Sequence, residues 1–181
     1  MGSVRMGEML ASSTSGDELV AIGLGSCIGL ALVDRSAGVA GLAHVVLPDS
    51  GGTAGPAAKF ADLAVPALLE KVTGLGAHKE RLEAVLVGGA KMFALGSGMD
   101  IGARNEAAVR EALSDLRVKV RATATGGSSG RTMKVFAGDC TVNVHEAGGK
   151  PETLLGKGGS GAGATTRRAG GMGFGLAGAS A

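Results

Sequence analysis

A chain of 181 residues, 45% of them hydrophobic and with a formal charge of +2, reads as a single soluble globular domain with its own core. The charge is too small for a strong field, no Lys/Arg block stands out, and Trp and Tyr are absent, so nucleic acid is excluded as an expected partner. Cys27 and Cys140, far apart in sequence, make no disulfide framework and suit a reducing, cytoplasmic compartment.

In chain order, residues 1 to 17 read as a weakly structured start or a short edge strand followed by a polar loop. A strand is predicted over 18 to 22, broken by Gly23-Leu24-Gly25-Ser26, whose two glycines permit backbone angles closed to other residues. Ile28, Leu30 and Leu32 alternate with smaller residues and predict a second strand over 27 to 34. A turn at Arg35-Ser36-Ala37-Gly38 leads into a third strand over 39 to 47, ended by Pro48-Asp49-Ser50-Gly51-Gly52.

Phe60, Leu63, Ala64, Ala67, Leu68 and Val72 recur with helical spacing, and Pro66 is expected to kink that helix or mark a late start. A strand over 82 to 87 ends in Gly88-Gly89-Ala90. Asn105 reads as the cap of a second helix over 106 to 116. Three strands follow, over 118 to 123, 131 to 136 and 140 to 145, the last two joined by a Gly138-Asp139 hairpin turn. From 156 on the composition turns to Gly, Ala, Ser and Thr, which reads as a disordered tail (156–181) behind one folded domain (1–155). This element order predicts an α+β fold with mixed sheets.

Leu24-Gly25-Ser26-Cys27 also has the look of a lipoprotein cleavage box. Against it, Asp17 and Glu18 stand where a signal peptide needs positive charge. The apolar stretch ahead of Cys27 also falls short of the roughly 7–15 residues of a signal core. The run over 19 to 33 is too short and too glycine-rich to span a membrane, so no membrane insertion is expected.

The site follows from strand register. If residues 36 and 37 make the loop of a hairpin, residue i pairs with residue 73 minus i, and His44 falls opposite Gly29. Cys27, two residues from Gly29, then shares its face. Such a diagonal pair has Cα atoms roughly 7–8 Å apart, within reach of a Cys and a His side chain. A loop one residue longer flips the parity and turns them apart. A neighbouring imidazole can take a thiol's proton and make it a nucleophile. The Ser26 and Cys27 N–H groups at the Gly23/Gly25 bend are candidates for an oxyanion hole. Residue pattern alone leaves a second reading open, in which Cys27 is a small buried hydrophobe and His44 an ordinary strand histidine.

Gly23-Leu24-Gly25-Ser26-Cys27 followed by Ala43-His44-Val45-Val46-Leu47-Pro48-Asp49-Ser50 resembles the CheD family of chemoreceptor glutamine deamidases. The likeness continues through Lys59-Phe60-Ala61-Asp62, Gly88-Gly89-Ala90-Lys91-Met92-Phe93, Ile101-Gly102-Ala103-Arg104-Asn105 and Thr125-Gly126-Gly127, over about residues 5 to 147. The resemblance implies two mixed sheets packed together with flanking helices, in α/β/β/α layers similar to the catalytic domain of cytotoxic necrotizing factor toxins. It implies hydrolysis of selected glutamine side chains on the cytoplasmic region of methyl-accepting chemotaxis receptors through a Cys27 thioester, with His44 as the base and no cofactor. A CheC-type phosphatase is a partner in some members. The family's third catalytic position, commonly threonine, falls on Ala21, so only a backbone carbonyl there, or water, is left to orient His44. Ala124 stands where the family often has an acidic residue.

Gly25, Arg104 and Thr125 are candidates for lining the substrate groove, and Met92 and Phe93 for core packing or partner docking. The Gly88-Gly89 turn lacks the Lys-Ser/Thr of a phosphate-binding loop. No Cys or His pair falls at a short ligand spacing, so no metal site is expected. A catalytically idle adaptor binding the same chemotaxis proteins is the rival function.

Overall fold

The computed structural model describes residues 1–91 and 100–156 and a short strand at 166–168. Met92 and Phe93, and most of the glycine-rich tail, lie outside the described residues. The elements in order are β1 (Gly2–Ser3), β2 (Met9–Ser12), β3 (Glu18–Leu24), β4 (Ile28–Asp34), β5 (Val39–Val45), α1 (Ala61–Thr73), β6 (Glu83–Gly88), α2 (Ile101–Asp115), β7 (Lys119–Thr125), β8 (Arg131–Phe136), β9 (Val142–Glu146), β10 (Glu152–Leu155) and β11 (Thr166–Arg168).

They form an α+β fold of two mixed sheets, ordered β1-β3-β8-β9-β10 and β11-β7-β6-β4-β5-β2. The chain crosses from the first sheet to the second between β3 and β4, at the Gly23–Cys27 bend. Apolar side chains divide into two layers. Leu19, Ala21, Leu24, Ala31, Val33, Leu42, Val85, Met133 and Val135 pack between the sheets. Ile28, Leu30, Leu32, Ala43, Val45 and Leu86 face α1 and α2. Every residue of β4 and β5 is buried because both faces are covered, which is why β4 reads as a nearly unbroken apolar run.

Both helices pack on the second sheet. Among the described residues the layers therefore run helix, sheet, sheet, one helix layer fewer than the resemblance implies. The outer face of the first sheet carries Glu18, Thr132, Lys134, Asn143 and His145 together with the apolar Val20 and Phe136, with Lys134 ion-paired to Glu18 at 2.6 Å.

Several boundaries shift for local reasons. Asp100, whose side chain accepts the Ala103 N–H at 3.2 Å, caps α2, so the helix starts at Ile101 and Asn105 lies inside it, fully buried. Cys140 has φ +55°, a left-handed conformation no strand accommodates, and β9 begins only at Val142. Pro66 sits on the exposed face of α1, which begins at Ala61 and continues past it. β10, beyond the predicted strands, pairs antiparallel with β9.

Candidate active site

The β4/β5 hairpin has the predicted register. Gly29 pairs with His44 and Ile28 with Val45, each pair summing to 73. Its last pair is Asp34 with Val39, so the connection is four residues long, not two. Adding one residue on each side leaves parity intact. The Asp34 carboxylate shapes this turn by accepting the Ser36 and Ala37 N–H groups at 3.0 and 3.2 Å. Residues 40, 42 and 44 of β5 alternate away from the helix-facing set, so His44 points between the sheets. Cys27 belongs to the same inter-sheet layer. A Cβ on Gly29 would meet Leu24 and Met133 in that layer.

The bend carrying Cys27 is held by its carbonyls. Gly25 O accepts the Ala90 N–H at 2.7 Å, and Cys27 O accepts the Gly89 N–H at 2.8 Å. Ser26 O accepts the Asn105 Nδ2 at 2.9 Å. Gly88 approaches Cys27 O so closely, at φ +110°, that only glycine fits there. Gly23, at φ +74°, lies where the β3/β8 register slips between Ala21 and Leu24, and frees the chain to change sheets.

His44 is only 1% exposed, and neither ring nitrogen has a hydrogen-bond partner among the described residues. Its main chain is fixed on both sides, pairing with Gly29 and exchanging hydrogen bonds with Gly7 and Glu8 at 3.0 Å. Burial lowers its pKa below the ordinary histidine value. The Val4 main chain partly offsets this, without completing a hydrogen bond to the ring. Burial pushes the Cys27 thiol up above its ordinary value. Burial thus favours the neutral form of each group.

The other candidates divide. Ala21 is fully buried on β3 and makes no hydrogen bond to His44. Gly25 and Ser26 are half-buried beside Cys27. Thr125, at the end of β7, pairs with Gly88 and lines a cavity with Gly89, Lys91, Asp100, Glu106 and Gly126. That cavity adjoins the turn holding Cys27 O. Arg104 is not brought to the pair: it is exposed, in a groove between α1 and α2 with Pro48, Asp49, Asp62 and Glu111. The residue that sequence reasoning missed is Asn105, which bonds Ser26 O and Val46 O at once. Asp100, a good cap five residues upstream, was the available signal that Asn105 is interior. Among the described residues no group of three or more His, Cys, Asp or Glu could hold a metal, and no helix is long and apolar enough to cross a membrane.

A family model described as CheD chemotactic sensory transduction matches residues 46–146. The chain belongs to the CheD family. It is 44% identical over 131 residues to a Thermotoga maritima protein named chemoreceptor glutamine deamidase CheD, covering 72% of this chain and 83% of that one. It is 43% identical over 141 residues to a Clostridium botulinum protein named probable chemoreceptor glutamine deamidase CheD, covering 75% and 86%. A Clostridium kluyveri protein of the same name is 46% identical over 136 residues, covering 72% and 83%. The CheD match includes the Gly88-Gly89-Ala90 turn and Asn105, the two inner supports of the Cys27 bend.

Proposed function

We propose that this protein converts glutamine side chains of chemoreceptors to glutamate in chemotaxis, with Cys27 as nucleophile and His44 as general base. The relatives' names support the reaction and the class of substrate. The observation that carries the assignment of residues is the Gly29–His44 register, which turns His44 to the layer that also holds Cys27.

The Cys27 thiol gives its proton to His44 as sulfur attacks the side-chain amide carbon, and a tetrahedral oxyanion forms. His44 returns that proton to the amide nitrogen, the C–N bond breaks, ammonia leaves, and a thioester remains. His44 then takes a proton from water, the resulting hydroxide attacks the thioester, and glutamate and the thiol are released. Burial favours the uncharged forms of both groups, which supports proton transfer in step with attack. The receptor's cytoplasmic region is the substrate surface, a CheC-type phosphatase a competing partner, and the cytoplasm the compartment that keeps both free thiols reduced.

The imidazole, unpartnered among the described residues, and Ala21 favour one rival, an adaptor that binds without catalysis. Mass spectrometry of a chemoreceptor cytoplasmic fragment after incubation separates the two. Glutamine-to-glutamate conversion that disappears in Cys27→Ala is the expected result. Unchanged glutamines despite retained binding would refute the enzyme reading.

A further inference from the structure

We propose that Asn105 is a positioning residue of the catalytic site, whose side-chain amide sets the direction of the Cys27 backbone N–H and so builds the oxyanion hole. The inference rests on the reading of Cys27 as nucleophile and extends it to a residue on α2.

Asn105 is fully buried. Its Nδ2 donates to Ser26 O and to Val46 O, both at 2.9 Å. Two carbonyls can be met only by the NH₂ end of an amide, so the side chain's orientation is fixed by its partners. Its Oδ1 is buried with no partner among the described residues. A buried amide satisfied only at its donor end costs stability, and such sites cluster where function requires them.

The consequence follows from peptide geometry. In a planar trans peptide the C=O and the next residue's N–H point in opposite directions, and the structure holds no cis bond. Ser26 O is drawn toward α2, on the outer side of the second sheet. The Cys27 N–H must therefore point the other way, toward the inter-sheet side that holds the thiol and His44. Ala90 N–H acts likewise on Gly25 O, which fixes the Ser26 N–H to point away from Ala90. No described residue accepts a hydrogen bond from either N–H. Among the described residues, both are free to donate to an oxygen of the substrate.

The same amide ties down the other half of the site. Val46 lies two residues beyond His44, so one side chain fastens the Cys27 bend to the end of the histidine strand. One turn earlier on α2, Gly102 packs against Gly89 O and Ala90 O with no room for a Cβ. The helix thus seats Asn105 by resting on the turn that grips Gly25 O and Cys27 O.

The test compares the full chain with Asn105→Leu, which keeps the branching at Cγ and removes the donor, and Asn105→Asp, which keeps the size and replaces two N–H donors with at most one O–H. Three readouts are taken: deamidation kinetics on a receptor fragment, the rate of Cys27 alkylation by iodoacetamide, and Tm. Alkylation displaces iodide at a saturated carbon and develops no oxyanion, so it reports thiol access and basicity alone. The expected result is kcat lowered about 10²-fold, with KM and the alkylation rate unchanged. A folded variant with wild-type kcat overturns the proposal, and so does a loss of alkylation that parallels the loss of kcat. For variants that do not fold, the wild-type chain gives the answer through a glutamine-mimicking peptide aldehyde, whose hemithioacetal carries the oxyanion position. A large shift of the Cys27 N–H resonance on adduct formation is expected. An adduct that leaves the resonance in place overturns the proposal, and the absence of any adduct removes the nucleophile along with it. Full activity in Cys27→Ala refutes the nucleophile, whereas full activity in Asn105→Leu with an inactive Cys27→Ala refutes only the positioning role.

Discussion

At the residue scale the proposed site is a pair of titratable groups whose uncharged forms burial favours. A preformed thiolate–imidazolium pair needs a low thiol pKa and a high imidazole pKa, and here both are shifted the opposite way, in each case chiefly by desolvation. The pH dependence follows with a definite sign. His44 acts as a base only when neutral, so kcat/KM should hold level across neutral pH and fall only as pH drops through an imidazole value below about 6.5. Cys27 alkylation should climb only on the alkaline side of about 9. A pH series of both rates checks this, and rapid alkylation well below pH 7 would reveal an ion pair instead. The Cys27–His44 relation was legible in the sequence because strand parity is discrete: the loop proved two residues longer, and the faces still matched. Asn105 was not, because an asparagine near a helix start reads as a cap until the true cap, Asp100, is recognised.

At the element scale the proposed site depends on a turn that contributes no side chain to the chemistry. The end of β6 and the two residues beyond it hold the carbonyls of Gly25 and Cys27 through main-chain N–H groups, and Gly88 lies against the Cys27 carbonyl. The sequence announces this turn as Gly88-Gly89-Ala90 but cannot say what it grips, since main-chain contacts across about 60 residues leave no side-chain pattern. Gly88→Ala should push the Cys27 carbonyl away, cost about 2 kcal/mol or more, and abolish deamidation. Gly76→Ala is the matched control: Gly76 has a similar φ of +100° but open space around it. It should cost only the left-handed strain, about 1 kcal/mol, and leave activity intact. Urea unfolding and the deamidation rate of both variants check the pair, and equal activity in the two would show that the turn does not set the nucleophile.

At the scale of the whole molecule, the β4/β5 hairpin joins two ends built on opposite principles. Its far end carries Asp34, fully buried and satisfied: Arg81 at 2.7 Å and the N–H groups of His78, Ser36 and Ala37 at 2.8 to 3.2 Å surround the carboxylate. The Asp34 carbonyl and that of Val39 also lie 3.6 and 3.5 Å from Cys140 Sγ, which brings in the β8/β9 hairpin of the other sheet. Burial by itself would raise the Asp34 carboxyl, but Arg81 and the His78 and Ala37 N–H groups outweigh it and hold it below the ordinary carboxylate value. With the folded value below the unfolded one, the resulting stability is present at neutral pH and lost as pH falls below about 4 through the folded value. The open end carries His44 on β5, whose imidazole has no hydrogen-bond partner among the described residues. The sequence showed two buried strands but not this asymmetry, because Asp34 in a turn and His44 in a strand look equally ordinary until their partners are known. Asp34→Ala strands three N–H groups and should cost about 3 kcal/mol, leaving Cys27 alkylation as it was. His44→Leu removes two unsatisfied nitrogens from an apolar layer and should leave stability unchanged or raise it by about 1 kcal/mol, while deamidation stops. Denaturant midpoints for the two variants test whether the molecule keeps its stability at one end of the hairpin and its reactivity at the other. A His44→Leu protein much less stable than wild type would mean that the imidazole has a structural partner and is held for the fold.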